Sequence, residues 1–227
     1  MSRVLFQDGT VNVKGFSWCL RTFKSIPLDA LVSNILCEEH NNELSIVDAG
    51  AKAVWDAFRE CERLHGVRVS IGRKRWTTRR IPVPGALLER WCIKTAINLI
   101  SSRGAEGPWS LKGDASTHPP VKIVEAAFGR SRLSDPLGLY LAAEVGAEHR
   151  VEDHVGFEVI EDPPNPFAGA TFLFSGFRFL IWLHNSDPSS GDSPLRRLEG
   201  YEGVEHMYRG VGIHFSTTSE RLEFKWS

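Results

Sequence analysis

Apolar and polar residues along the chain alternate with two different periods, and the change from one to the other divides it. Residues 4 to 13, VLFQDGTVNV, alternate about an Asp8-Gly9 step, a pattern that predicts two short strands joined by a tight turn. From Ser45 the spacing becomes helical. Val47, Ala51, Val54, Trp55, Phe58 and Cys61 fall on one stripe, Ser45 and Asp48 give an N-cap pattern, and Gly66 marks the expected end. The run RVSIGRKRWTTRRIPVP alternates again and predicts a second hairpin. After Pro84 and Gly85, ALLERWCIKTAINLISS is the clearest helix, with Leu87, Leu88, Trp91, Cys92, Ala96, Leu99 and Ile100 on a broad apolar face. Charged Glu89, Arg90 and Lys94 border that face; Arg90 and Lys94, at i,i+4, either hold an anion or carboxylate between them or are solvated, their stems covering the core. Pro119 and Pro120 introduce a short helix, VKIVEAAFG. From about residue 137 onward the texture is that of strands: GLYLAAEV, VGFEVIED, ATFLFS, FRFLIWLH, GVGIHFST and RLEFKWS. The breaks PPNPFAG and NSDPSSGDSP fall between them. Helices early and an antiparallel sheet late predict an α+β protein.

Composition narrows this little. The 227 residues are 42% hydrophobic and 24% charged, enough for a substantial core. No apolar run is long enough for a membrane span, and MSRVLFQDGT lacks a secretory pattern, so a cytoplasmic protein is expected. Cys19, Cys37, Cys61 and Cys92 include no CxxC pair and read as reduced thiols. A net charge of −1 exerts no global pull on nucleic acid, so any such binding needs a local patch. One candidate patch is visible: Arg68, Arg73, Lys74, Arg75, Arg79 and Arg80 surround Trp76 with no acidic residue among them. This suits phosphate contacts and base stacking, or else charges paired with acidic stretches elsewhere.

Two further constellations bear on chemistry. LIWLHNS and VGIHFS place His184 and His214 each two residues before a serine. That arrangement suits a phosphoesterase in which one histidine acts as base and the other as acid, or simply two strand ends meeting solvent. HRVEDH, residues 149 to 154, lacks the order of a helical zinc motif. The aromatic residues Phe172, Phe174, Phe177, Phe179 and Trp182 could line a binding sheet or fill the core.

LCEEHNNELSIVD carries a Cys-x-x-His pair, Cys37 and His40, followed by Asn41 and a helix start. With LLERWCIKTAINLI, GLYL, FLFSGFRF and a late YRG, it gives the chain, over roughly residues 20 to 216, a likeness in order. It resembles the HNH-endonuclease-like proteins of unknown function found in bacteria and prophages. The resemblance implies a small ββα-like part over residues 1–66. A larger α+β domain over 67–227 would follow, with the basic hairpin, a core helix and a mostly antiparallel C-terminal sheet. It also implies a catalytic histidine before Pro27, yet FKSIP carries Lys24 there and Phe23 at the acidic position. A protonated lysine neither activates water nor binds a divalent cation. The expectation is therefore a catalytically inactive HNH-like protein, without metal, that binds nucleic acid or a nucleoprotein or protein partner. Phage–host defence or counter-defence is one setting for it. Against this stand an active metal-dependent endonuclease using His40 and Asn41, with His65 or His118 as distant ligands, and the His184/His214 phosphoesterase. Zinc held by Cys19, Cys37 and His40, or magnesium, would accompany activity.

Overall fold

The computed structural model describes residues 9–15, 19, 21–31, 37–71, 77–101, 119–134, 137–143, 155–162, 165–174, 176–183, 206–208, 212–215 and 220–226. Strands β1 (Thr10–Lys14) and β2 (Lys24–Pro27) lead through a 3-10 turn, Leu28–Leu31, to helices α1 (Glu38–Glu43) and α2 (Ser45–Ser70). Next come β3 (Arg79–Val83), α3 (Gly85–Ser101) and α4 (Val121–Ala127). Seven strands complete the fold: β4 (Gly138–Ala143), β5 (Val155–Asp162), β6 (Asn165–Phe174), β7 (Phe177–Trp182), β8 (His206–Tyr208), β9 (Gly212–Phe215) and β10 (Glu220–Phe224). Helices and strands are both abundant, as an α+β protein requires. Among the described residues no helix is long and apolar enough to cross a membrane.

The larger sheet has the order β2-β1-β5-β6-β7-β4-β8, and the smaller one the order β3-β10-β9. Pairing is antiparallel except for β1 on β5 and β3 on β10, so both sheets are mixed. These two parallel pairs join the early part of the chain to the late part. Val13 lies opposite Phe157, and Arg80 opposite Arg221. One core holds them together. It runs from Val11 and Val13 through the α2 stripe and α3 to Phe157, Phe172, Phe179 and Leu222.

The α2 stripe is buried as its spacing predicts. Two features of that helix depart from expectation. Ser45 is its first residue rather than its cap, Leu44 occupying the cap position without a side-chain bond. Gly66 does not end it: the helix continues to Ser70, so Arg68 to Ser70 are helical where period-two spacing predicted a strand. Tertiary contacts supply the reason. Arg68 reaches the Glu220 carboxylate and also bonds the Thr77 carbonyl at 3.5 Å, which anchors the extra turn to β10. Only β3 of the expected second hairpin is a described strand, and its partner is β10. Likewise β1 pairs with β2 and β5, while residues 4–7 of the first expected hairpin lie outside the described residues.

Helix α3 is the centre of the molecule. Leu88, Trp91, Cys92, Ile93, Ala96 and Leu99 are buried, and so are Glu89 and Lys94, which are therefore not solvated. The buried Glu89 Oε2 accepts the Leu139 backbone N–H at 2.9 Å, and Lys94 Nζ donates to Asp48 Oδ2 at 2.8 Å. Polar groups out of water require such partners. Where α2 crosses α3, a Cβ on Gly50 would stand 2.4 Å from the Leu87 Cβ, so that contact demands a residue without a side chain. On the sheet side Trp91 meets Phe172 with ring centres 5.7 Å apart, and Phe58 of α2 meets Phe177 at 4.6 Å. Phe172, Phe177, Phe179 and Trp182 are thus core residues rather than a binding face; the Phe174 side chain lies outside the described set. Strand β6 begins at Asn165, inside the expected break PPNPFAG. Its pairing with β5 shifts register between Ile160 and Asp162, an irregularity that admits Pro166.

Candidate functional site

The N-terminal motif is dispersed. Cys19 is buried, its thiol donating to the Val13 carbonyl at 3.7 Å. Cys37 is exposed just before α1, with Sγ 3.0 Å from His40 Nδ1. Asn41 lies within α1 on solvent-exposed helix rather than in a loop before it, its backbone N–H bonding the Cys37 carbonyl at 2.9 Å. Lys24 opens β2 and is exposed, so the position expected of a catalytic histidine is a surface lysine. Among the described residues no group of three or more His, Cys, Asp or Glu side chains gathers closely enough to hold a metal ion. Cys19, Cys37 and His40 are therefore not one ligand set. His65 is exposed on α2. His118, His184 and residues 149–154 lie outside the described residues, and His214 stands in β9 opposite Arg221.

The basic run is split by its partners. Arg68 is committed to Glu220, a carboxylate with no exposed surface. Arg79 donates to Glu60 at 2.7 Å. These two arginines connect α2 to the small sheet. Arg68, its side chain only 12% exposed, is drawn in against its partner, whereas Arg79 remains 49% exposed beside Glu60. Glu60 is held from the other side by Arg63, whose Nε bonds it at 2.6 Å. That bond, with Arg79 adding to it, holds the Glu60 carboxyl near pKa 2 against an ordinary 4.5. A depressed carboxylate pKa contributes stability above the ordinary value that is lost as pH falls through the folded one. Thermal melts of wild type and Glu60→Gln should therefore differ at neutral pH and converge between pH 4.5 and about 2. A constant gap across that window would show the ion pairs to be inert.

Arg80 behaves differently. Its side chain is 70% exposed and lies 3.7 Å from Glu223, beyond hydrogen-bond length. Strand alternation places Arg221 and Glu223 on the outer face of β10, with Leu222 and Phe224 inward. Register then sets Arg221 beside Arg80. Lys225 follows on the same face, 3.3 Å from Glu223, and Arg221 is 3.8 Å from it. Among the described residues, three cations thus share a single carboxylate on the exposed side of the small sheet. Arg221 and Lys225 were missed as site residues. The alternation of RLEFKW shows that they share a face, but nothing local shows that Arg80 lies beside them. Arg73, Lys74, Arg75 and Trp76 lie outside the described residues, in the connection that leads into β3.

The fold and this surface define an α+β protein with a basic sheet face. Comparison of the chain with protein-family models, with curated proteins and with solved structures returned no match.

Proposed function

We propose that this chain is a non-catalytic binding protein that docks the phosphate backbone of a nucleic acid on the outer face of β3 and β10. The observation that carries this reading is the sharing of Glu223 by Arg80, Arg221 and Lys225. An exposed patch with surplus positive charge on a rigid strand pair is suited to phosphate oxygens, which displace counterions when they bind. The sequence run Arg73, Lys74, Arg75 and Trp76 enters β3 from beside this patch in the chain and would add cations and a stacking ring. Absence of cleavage follows from Lys24, which stands where the HNH resemblance expects the base. Such a binder suits a role in phage–host conflict, exerted by occupancy rather than by cutting.

Fluorescence anisotropy with labelled single- and double-stranded DNA and RNA, titrated across salt, tests this. Each phosphate contact contributes a slope of roughly −0.7 to −0.9 in log K against log salt. Replacing Arg80, Arg221 and Lys225 together by alanine should flatten the slope by about 2 to 3 units. Gel analysis of the same mixtures with Mg²⁺ or Mn²⁺ should show intact strands. Metal-dependent cleavage abolished by His40→Ala would install the endonuclease in place of the binder. No saturable binding at low salt would end the nucleic-acid reading.

A further inference from the structure

Register arranges the outer face of the small sheet in rows. Arg80 of β3, Arg221 of β10 and His214 of β9 make one row, and Pro82, Glu223 and Gly212 make the next. Lys225 follows on the same face, and its backbone N–H bonds the Val83 carbonyl at 2.9 Å, which carries the pairing past the end of β10. Among the described outer-face positions of these three strands, Glu223 is the one carboxylate. Its own row is low. Proline stands on one side of it and glycine on the other, where a Cβ would come within 2.8 Å of the Leu222 carbonyl oxygen and 3.4 Å of Arg221 Nε. The bare glycine leaves room for the Arg221 side chain beside the carboxylate.

The cations converge on one point. Arg80 Nη1 and Arg221 Nε lie 3.7 and 3.8 Å from the same oxygen, Glu223 Oε1, and Lys225 Nζ lies 3.3 Å from Oε2. All three separations exceed the roughly 2.7–2.9 Å of a tight charge-assisted bond, so the carboxylate does not saturate its neighbours. It also lies deeper than they do, its side chain 20% exposed against 44% or more for theirs. The cations therefore rise past it into solvent as a cradle with two positive charges in excess. An internal phosphodiester brings a single charge, and successive ones are spread along the strand. A phosphate monoester concentrates roughly −1.5 to −2 on one phosphorus at neutral pH, which is the complement of this cradle.

We infer that Arg80, Arg221 and Lys225 form a subsite for the terminal phosphate monoester of a nucleic acid strand, seated over Glu223. This rests on the proposed docking of nucleic acid on β3 and β10 and narrows it: the end of the strand is held here, and its internal phosphates run on from the cradle. Arg80 and Arg221 donate to the phosphate oxygens from one side and Lys225 from the other. Glu223 gathers the same cations from beneath before the ligand arrives, and it opposes an anion with too little charge to compete.

Fluorescence anisotropy at neutral pH and low salt tests this with strands of one sequence labelled at an internal base. One carries a 5′-phosphate, one a 3′-phosphate and one hydroxyls at both ends, each prepared as DNA and as RNA, single-stranded and annealed to a complement. A phosphorylated strand should bind about fivefold more tightly than the hydroxyl strand, the factor that one added charge contributes at roughly 4 Å in water. Whichever end carries the advantage assigns the polarity of the strand on the sheet. Exchanging Arg80, Arg221 and Lys225 together for glutamine should abolish the advantage, with the circular dichroism of the wild type retained. Glu223→Gln, which removes the competing charge and keeps the shape, should tighten the phosphorylated strand severalfold. Equal affinity of the three strands, with the salt dependence of a backbone binder, would overturn the inference and leave the docking of nucleic acid standing. Failure of every form to bind would overturn both. An advantage that survives in the glutamine variant, or a Glu223→Gln protein that binds the phosphorylated strand no better, would overturn the cradle as its seat.

Discussion

Arg68→Met should lower unfolding stability by about 3 to 5 kcal/mol, the cost of stranding a buried carboxylate. Glu220 has no exposed side-chain surface and Arg68 only 12%, so the pair is removed from the solvent that would otherwise screen it. Two desolvated charges recover their burial cost only from one another, and deleting one leaves the other with the whole penalty. Glu220 also lies close enough to Cys61 to act with burial in raising that thiol, which places the carboxylate among core groups. The double variant Arg68→Met, Glu220→Leu should regain most of the loss, since apolar replacements carry no such penalty. Arg79→Met, which breaks a more exposed pair, should cost no more than about 1 kcal/mol. Urea denaturation of wild type, Arg68→Met, Glu220→Leu, their double variant and Arg79→Met, with coupling taken from the cycle of the first four, measures all of this. An additive cycle would show that the two residues do not depend on one another. A stable Arg68→Met with weakened polyanion binding would return the arginine to the ligand surface.

Trp91→Ala should also be costly, about 3 to 5 kcal/mol. The indole is 1% exposed and lies where α3 presses on the large sheet, within 5.7 Å of Phe172 and 6.4 Å of Phe157 between ring centres. Those two phenylalanines sit edge to face at 5.2 Å across β5 and β6. Removing the indole takes one member from a three-ring cluster and leaves a void that rigid strands cannot fill by collapse. Trp91→Phe keeps the ring contact and should lose less. Thermal melts rank the three proteins, and Trp91→Ala unfolding with wild-type stability would mean that the sheet repacks around the gap.

Much of this architecture was legible because local pattern and burial agree. The α2 stripe, most of the α3 face and five of the late strands bury the side chains that their periodicity marks, and Pro119 and Pro120 stand before α4 as expected. What escaped was set by distant partners. Val67 and Val69 alternate as in a strand, but an arginine between them pairs with a carboxylate of β10 and keeps the turn helical. Parallel pairing of β1 with β5 and of β3 with β10 leaves no local signature, since neither pair shares a turn. The short β8 passed unnoticed for lack of length. The candidate surface follows the same logic. Its cations are visible one at a time, and only the register of β3 on β10 makes them neighbours, while Arg68 is drawn in against Glu220.

Strand β10 lies between β3 and β9, the middle of a sheet built from the last described strand of the chain. A growing polypeptide that has already released α2, β3 and α3 must wait for Glu220–Phe224 before Arg68 finds its counterion and Val83 gains its neighbour Phe224. Closing so long a loop is entropically slow. Until β10 is made, β3 lacks its parallel neighbour, so β10 acts as the latch of the small sheet and its arrival sets when the basic face first exists.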